Sequence, residues 1–173
     1  MKKTIKYLIL FIIVSLISLL SYNITRKITY KNEVAERIKT IPDFSFKTLK
    51  GNDFTKENIT KDRNTVFIYF NSECEHCQYE AYAIREQLNN FTNTQILFIS
   101  FENKSRIKTF AKEYKLDNKM NVFFLHDKDS NFSEIFDAHH IPFTLIYNRQ
   151  QKLVKKYIGE VKIEAILKSL AKK

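Results

Sequence analysis

Residues 65–77 read Thr-Val-Phe-Ile-Tyr-Phe-Asn-Ser-Glu-Cys-Glu-His-Cys, and this stretch decides the fold. Its first six residues form an almost continuous apolar run, which is typical of a strand buried on both faces of a parallel or mixed sheet. From Cys77 onward, the apolar residues Ala81, Ile84 and Leu88 recur at helical spacing. The sequence therefore predicts a buried strand that leads directly into a helix, with two cysteines at the junction.

Strands and helices alternate along the rest of the chain. Residues 41–49 alternate apolar and polar side chains, and after a turn at residues 50–52 the pattern resumes at Phe54, which indicates a hairpin. Further strands are predicted at residues 95–101, 122–125, 143–147 and 153–158, and helices around residues 107–114, 133–138 and 163–170. This order indicates an α/β fold in which helices cover both faces of a central sheet.

The N-terminal segment is an export signal or a membrane anchor. A basic leader with Lys2, Lys3 and Lys6 precedes an apolar run at residues 7–22 that only serines interrupt. With Ile5 and a snorkelling Lys6, the run reaches about 18 residues, the short end of what crosses a bilayer. Because no alanine or glycine marks a cleavage point at its end, we favour an uncleaved signal-anchor over a cleaved signal peptide.

The predicted organisation is a transmembrane helix at residues 1–22, a polar spacer at 23–40 and a single domain at 41–173. Basic residues flank the apolar run on both sides, so the charge bias that sets topology is weak. A short leader before a large domain usually belongs to an exported arrangement. We therefore expect a single-pass protein of the bacterial cytoplasmic (inner) membrane, with its domain on the periplasmic or extracytoplasmic side, where cysteine pairs do redox work or stay oxidised.

Composition excludes several function classes. A hydrophobic content of 44% and an aromatic content of 14% support a packed interior and argue against disorder. The net charge of +10 is concentrated partly before the domain, and elsewhere the charges alternate in sign, so no basic run is long enough to follow a nucleic-acid backbone. The 2 cysteines exclude a scattered disulfide framework and a zinc site made of cysteines alone.

The Cys-x-x-Cys pair predicts thiol–disulfide exchange. A free cysteine with a pKa of about 8.5 is mostly protonated at neutral pH, and the positive end of a helix favours the reactive thiolate. Cys74 is expected at that end and exposed, whereas Cys77 lies one turn further in, on the apolar side. Cys74 would attack, and Cys77 would resolve the mixed disulfide. The alternative is a purely structural disulfide or an unrelated pair.

Three marks carry a resemblance to a known family. They are the hairpin at residues 42–54, the strand followed by Cys74-Glu75-His76-Cys77, and Ile141-Pro142 ahead of the strand at 143–147. Through them, residues 41 to about 170 resemble the thioredoxin superfamily, in particular its redoxin branch of membrane-tethered thiol–disulfide oxidoreductases and thiol-specific antioxidant proteins. The resemblance implies a thioredoxin-like three-layer sandwich with a central mixed sheet, helices on both faces and an N-terminal hairpin, preceded by one transmembrane helix.

The resemblance also implies a place for substrate. In this family the proline of the third mark is cis and faces the disulfide, and backbone groups of the residue before it pair with the substrate. Pro142 and Ile141 take those places here. From the residues alone, the alternative is a trans proline that opens an edge strand.

The chain departs from the family pattern at three positions. Glu73 stands where a tryptophan usually precedes the first cysteine, so substrate contact there must differ. Ile68 occupies the position of a buried carboxylate that serves proton transfer, which leaves water, Glu73 or Glu75 as substitutes. Asn71 replaces the threonine or serine that peroxide-reducing relatives place three residues before the reactive cysteine, so peroxidase activity is not expected.

Three side chains around the cysteines are predicted to modulate their chemistry. A histidine in the position of His76 resembles the strongly oxidising dithiol proteins, in which it stabilises the thiolate. Glu73 and Glu75 oppose that effect, since a negative charge disfavours a nearby thiolate. The sign of the net effect does not follow from the sequence, and His76 as an ordinary surface residue is the alternative.

A metal site is the rival hypothesis. His139 and His140 come directly before Ile141 and would approach the cysteine pair in the predicted fold. Two thiolates with one or two imidazoles suit copper or zinc, which would make the chain a copper-handling thioredoxin-like binding protein rather than an enzyme. The alternative is that both histidines are ordinary loop residues.

The favoured hypothesis needs no cofactor and no metal. The resemblance implies protein thiols or disulfides as substrates, with reduction of exported proteins, for instance of haem-attachment thiols, as the first preference for the direction. A membrane electron donor would then have to reduce the pair again.

Overall fold

The computed structural model describes residues 2–171, with side chains from Ile5 onward. Met1 of the predicted leader and the last two residues of the predicted domain lie outside the described residues, as do the side chains of Lys2 and Lys3. The chain divides into two compact units, residues 1–37 and 38–173.

The first unit is one long helix, α1 (Lys2–Arg37). Its apolar side chains between Ile5 and Ile24 are exposed, and from residue 5 onward the helix is long and apolar enough to cross a membrane. The helix also runs through most of the segment predicted as a spacer. Polar residues alone do not end a helix, no glycine or proline lies between residues 23 and 37, and the Asn23 side chain donates to the Leu19 carbonyl at 3.0 Å. Where the membrane-spanning part ends stays a prediction.

The second unit is built on one seven-stranded sheet. Its strands are β1 (Ser45–Thr48), β2 (Asp53–Thr55), β3 (Asn64–Tyr69), β4 (Thr94–Ser100), β5 (Val122–His126), β6 (Phe143–Tyr147) and β7 (Leu153–Ile158). They lie in the order β2-β1-β5-β4-β3-β6-β7. Strands β3, β4 and β5 are parallel, and all other neighbours are antiparallel. The predicted mixed sheet and its N-terminal hairpin are confirmed.

Helices cover both faces of this sheet. They are α2 (Glu75–Glu86), α3 (Lys104–Glu113), α4 (Asn131–Phe136) and α5 (Ile163–Leu170). Because side chains alternate along a strand, β3 sends Val66 and Ile68 to the side where α2, α3 and α5 pack. Phe67 points to the other side, where its ring lies 5.5 Å from that of Phe136 in α4. The predicted helices on both faces are therefore confirmed.

The strand register brings three chain segments together at one end of the central strands. Tyr69, the last residue of β3, pairs with Ile99 near the end of β4 and with Phe143 at the start of β6. Three segments consequently meet at this end of the strands: the cysteine segment after β3, the loop after β4, and Pro142 before β6. No single stretch of sequence contains these three segments.

Candidate active site

Cys74 is the N-cap residue of α2. Its backbone is extended, with φ −82° and ψ 111°, and its sulfur accepts a hydrogen bond from the backbone N–H of Cys77 at 3.4 Å. The side chain is partly exposed. Cys74 thus lies at the positive end of a helix, where the sequence predicts it, and one backbone N–H of the first turn donates to its sulfur.

Cys77 lies below the surface. Only 2% of it is exposed, and it belongs to the hydrophobic core with Ala81 and Ile84. Burial raises the pKa of the Cys77 thiol well above its ordinary value, and the hydrogen bond to Cys74 adds to this effect, while a backbone hydrogen bond from Asn71 opposes it. The pair therefore combines an accessible thiol with one that stays protonated until a base takes its proton.

Glu80 is a buried carboxylic acid that the sequence pattern did not predict. It is 1% exposed, and the Thr144 hydroxyl donates to its Oε1 at 2.8 Å. Its buried Oε2 has no hydrogen-bond partner among the described residues. The pKa of Glu80 is raised from 4.5 to about 7, because burial and, to a smaller extent, the negative charge of Glu160 outweigh the lowering effect of the Thr144 hydrogen bond.

Glu80 is a further candidate, besides water, Glu73 and Glu75, for the group that replaces the missing strand carboxylate. The negative charge of Glu80 contributes to the raised pKa of Cys77, so the two groups are electrostatically coupled. The carboxylate is supplied by α2, one turn after Cys77, instead of by the strand position of Ile68. The available signal was the spacing of three residues, which puts Glu80 and Cys77 on the same side of a helix.

The peptide bond between Ile141 and Pro142 is cis, as the resemblance implies. Ile141 is partly buried and packs against the same hydrophobic core as Cys74. The Pro142 carbonyl accepts a hydrogen bond from the backbone N–H of Gly159 at 2.9 Å. Both residues lie at the same end of the strands as the cysteines, and their role in binding substrate stays a prediction.

The three predicted modulating residues have different surroundings. Glu73 forms an ion pair with Arg106 of α3. The His76 Nδ1 contacts Glu160, which lies between β7 and α5. Glu75 is exposed in the first turn of α2. Two of the three side chains are therefore held by partners from distant parts of the sequence.

The histidines of the metal hypothesis do not form a site with the cysteines. His139 Nε2 lies 3.0 Å from Asp137 Oδ1, and both histidines are exposed. Within residues 2–171, no group of three or more histidine, cysteine, aspartate or glutamate side chains is arranged to hold a metal ion. The predicted set of Cys74, Cys77, His139 and His140 is thus not assembled.

Comparison with known proteins identifies both family and fold. The model of the AhpC/TSA family matches residues 38–156. No curated protein sequence matches the chain.

Several solved structures are similar to this one. Mycobacterium tuberculosis dsbF is 17% identical with a TM-score of 0.64, over 77% of this chain and 93% of that chain. A secreted Mycobacterium tuberculosis disulfide oxidoreductase, homologous to E. coli DsbE, is 16% identical with a TM-score of 0.64, over 79% and 97% of the two chains. A thioredoxin-family candidate from Neisseria meningitidis is 20% identical with a TM-score of 0.64, over 75% and 86%. At these identities the likeness shows the fold, which is thioredoxin-like.

Proposed function

The chain belongs to the AhpC/TSA family, and on that premise we propose that it is a thiol–disulfide oxidoreductase that exchanges disulfides with exported proteins through Cys74 and Cys77. The observation that carries the proposal is the placement of a partly exposed Cys74 at the N-terminus of α2, next to a buried Cys77. This is the arrangement in which one sulfur attacks and the other resolves.

Exchange proceeds in two steps when the protein acts as a reductant. The Cys74 thiolate attacks one sulfur of a substrate disulfide, a mixed disulfide forms, and the other substrate sulfur leaves as a thiolate that takes up a proton. Cys77 then loses its proton and attacks the Cys74 sulfur, which releases the second substrate sulfur. Two electrons pass to the substrate, and Cys74 and Cys77 end as a disulfide.

Glu80 is the group that takes the proton from Cys77. A carboxyl with its pKa raised to about 7 is present in both protonation states near neutral pH, which suits a general base and acid. The thiol of Cys77 has a raised pKa, so its attack requires a base inside the protein. Glu80 is buried beside it and keeps one carboxylate oxygen without a partner among residues 2–171.

The surroundings of Cys77 give no support to the oxidising direction. A protein environment that stabilises the thiolate favours the dithiol state and makes the disulfide a strong oxidant. Burial and the charge of Glu80 act in the opposite sense on Cys77, because both raise its pKa. Cys77 therefore supplies no stabilised thiolate that would make the disulfide a strong oxidant, and the reducing direction itself is proposed from the family resemblance.

The proposal includes a location and partners. The exposed apolar helix α1 serves as an uncleaved anchor in the cytoplasmic membrane, with the thioredoxin-like unit on the extracytoplasmic side. Ile141 and Pro142 hold the substrate chain beside Cys74. Each turnover leaves the pair oxidised, so a membrane electron donor must return two electrons to it.

Two measurements on the full chain in detergent micelles test this function. The first is the rate of insulin disulfide reduction with dithiothreitol as the electron source, for which we expect Cys74→Ser to be inactive. His140→Ala, which changes an exposed side chain close to Pro142 in sequence, is the control and should keep the activity. A Cys74→Ser variant with the activity of the unmodified protein would rule out exchange at this pair.

The second measurement is the equilibrium reduction potential against glutathione. A value of about −270 mV would agree with a reductant, and a value of about −120 mV would place the protein among the strong oxidants and reverse the proposed direction.

A further inference from the structure

We propose that Glu102 and Arg106 are positioning residues for Cys74: Glu102 fixes the backbone just before it, and Arg106 keeps the charge of Glu73 from acting on its sulfur. The inference rests on the proposed function, since it concerns the reactivity of the same thiol. Neither residue belongs to the cysteine segment; Glu102 lies in the loop after β4, and Arg106 lies in the first turn of α3.

Glu102 binds the segment before Cys74 through Ser72. Its carboxylate accepts a hydrogen bond from the Ser72 backbone N–H at 2.6 Å and another from the Ser72 hydroxyl at 2.7 Å. The residue is only 8% exposed, so these bonds form in a site largely shielded from water. Hydrogen bonds to a charged carboxylate are stronger than neutral ones. Ser72 is therefore held by two such bonds to one side chain.

Further hydrogen bonds connect Ser72 to the helix that carries the cysteines. The Gln78 amide donates to the Ser72 carbonyl at 2.8 Å. On the other side, the Asn71 side chain accepts from the Glu73 N–H at 2.8 Å, and the Asn71 carbonyl accepts from the Cys74 N–H at 3.2 Å. The backbone before Cys74 and the first turn of the helix after it are thus connected by hydrogen bonds to Ser72 and Asn71. Glu102 is the only ionisable side chain that takes part in these bonds.

Arg106 lies between two carboxylates. One of its terminal nitrogens pairs with Glu73 and lies 3.5 Å from Glu102. Glu73 directly precedes Cys74, and a negative charge there would disfavour the thiolate and slow its attack. A positive charge bound to Glu73 offsets this effect. The opposition that the sequence predicts between Glu73 and the Cys74 thiolate is consequently reduced by a residue 33 positions away.

The test measures alkylation of Cys74 in the reduced full chain in detergent micelles at pH 7. The Glu73 and Arg106 side chains are 71% and 50% exposed, so the effect must be modest and sensitive to salt. We expect Arg106→Ala to slow alkylation about 2- to 5-fold at low ionic strength, in keeping with a pair in contact with water. High salt should shrink the difference, and Arg106→Lys should restore most of the rate.

A double-mutant cycle tests whether Arg106 affects the reactivity of Cys74 through Glu73. If Arg106 acts through Glu73, the Glu73→Gln/Arg106→Ala protein should react as fast as Glu73→Gln alone. Lys108→Ala, which removes a positive charge from the same helix away from Cys74, is the control and should leave the rate unchanged. An equal loss of rate in both Glu73 backgrounds, or no loss at all, would overturn the role of Arg106.

Glu102→Gln tests the other residue. The amide keeps the shape of the side chain but loses its charge and one acceptor, so we expect slower alkylation of Cys74 that high salt does not restore. A lower melting temperature with an unchanged alkylation rate would make Glu102 purely structural and overturn its part of the inference. If Cys74 of the unmodified chain reacts no faster than Cys77, the proposed function itself fails, whatever the variants do.

Discussion

Replacing Glu80 by glutamine is the sharpest test of the buried acid. The amide has nearly the same shape, and its oxygen still accepts the hydrogen bond that Thr144 donates to Oε1. What disappears is the ability to bind and release a proton. The substitution therefore removes the charge of Glu80 and its ability to transfer a proton, while the packing of the side chain stays nearly the same.

The difference between the pKa of Glu80 in the unfolded and in the folded state gives the size of its effect on the free energy of unfolding. The pKa of Glu80 rises from an ordinary 4.5 in the unfolded chain to about 7 in the folded protein. Because the folded state binds this proton more tightly, stability from this group is fully present below pH 4.5 and is lost as the pH rises through about 7. At about 1.36 kcal/mol per pH unit, the loss over this interval amounts to about 3 kcal/mol.

The expected result is a stability difference that depends on pH. Relative to the unmodified protein, Glu80→Gln should gain about 3 kcal/mol between pH 4.5 and pH 8, whatever its absolute stability at either pH. Urea unfolding of the reduced full chain in detergent, followed by tyrosine fluorescence because the chain contains no tryptophan, measures this difference. Other titrating groups are common to both proteins and cancel in the comparison, except Cys77, which remains a neutral thiol in the folded protein over this pH range because its pKa is raised mainly by burial.

The same variant should be slow at the resolving step. Without the base, Cys77 loses its proton less readily, and we expect release from a preformed mixed disulfide at pH 7 to slow by about two orders of magnitude. Alkylation of Cys74 measures the first step independently and checks that the site remains intact. A stability difference that stays constant from pH 5 to pH 8, together with normal release, would refute the assignment of a buried base.

Further predictions concern the cysteines and the core. In the reduced folded protein, iodoacetamide should label Cys74 and leave Cys77 unmodified, because Cys77 is 2% exposed; equal labelling by mass spectrometry would contradict the two roles. Cys77→Ala should accumulate a mixed disulfide between Cys74 and substrate, visible on a non-reducing gel, since the resolving thiol is missing. Phe67→Ala should lower the free energy of unfolding by about 3 to 5 kcal/mol in a urea titration, because a fully buried aromatic ring leaves a cavity.

Local patterns in the sequence determined the elements and the place of the cysteines. The apolar run at residues 65–70 became β3, which ends one residue earlier, at Tyr69. The cysteine pair follows it at the start of α2, and the cis bond before Pro142 agrees with the resemblance. The strand and the helix are readable because hydrophobic periodicity and turn residues act over a few neighbouring positions, whereas the cis bond was implied by the family resemblance alone.

Only the tertiary structure decided the electrostatic environment of the pair. Glu80 is a charged residue type that is rarely buried, and although its spacing from Cys77 puts the two on one side of the helix, the sequence does not show that Thr144 will contact it. The contacts of Ser72 with Glu102 and of Glu73 with Arg106 join segments about 30 residues apart. Likewise, His139 and His140 precede Pro142 in the chain but form no metal site with the cysteines among the described residues. The chemistry of a thiol depends on the charges and the water within a few ångströms, and the packing of distant segments determines both.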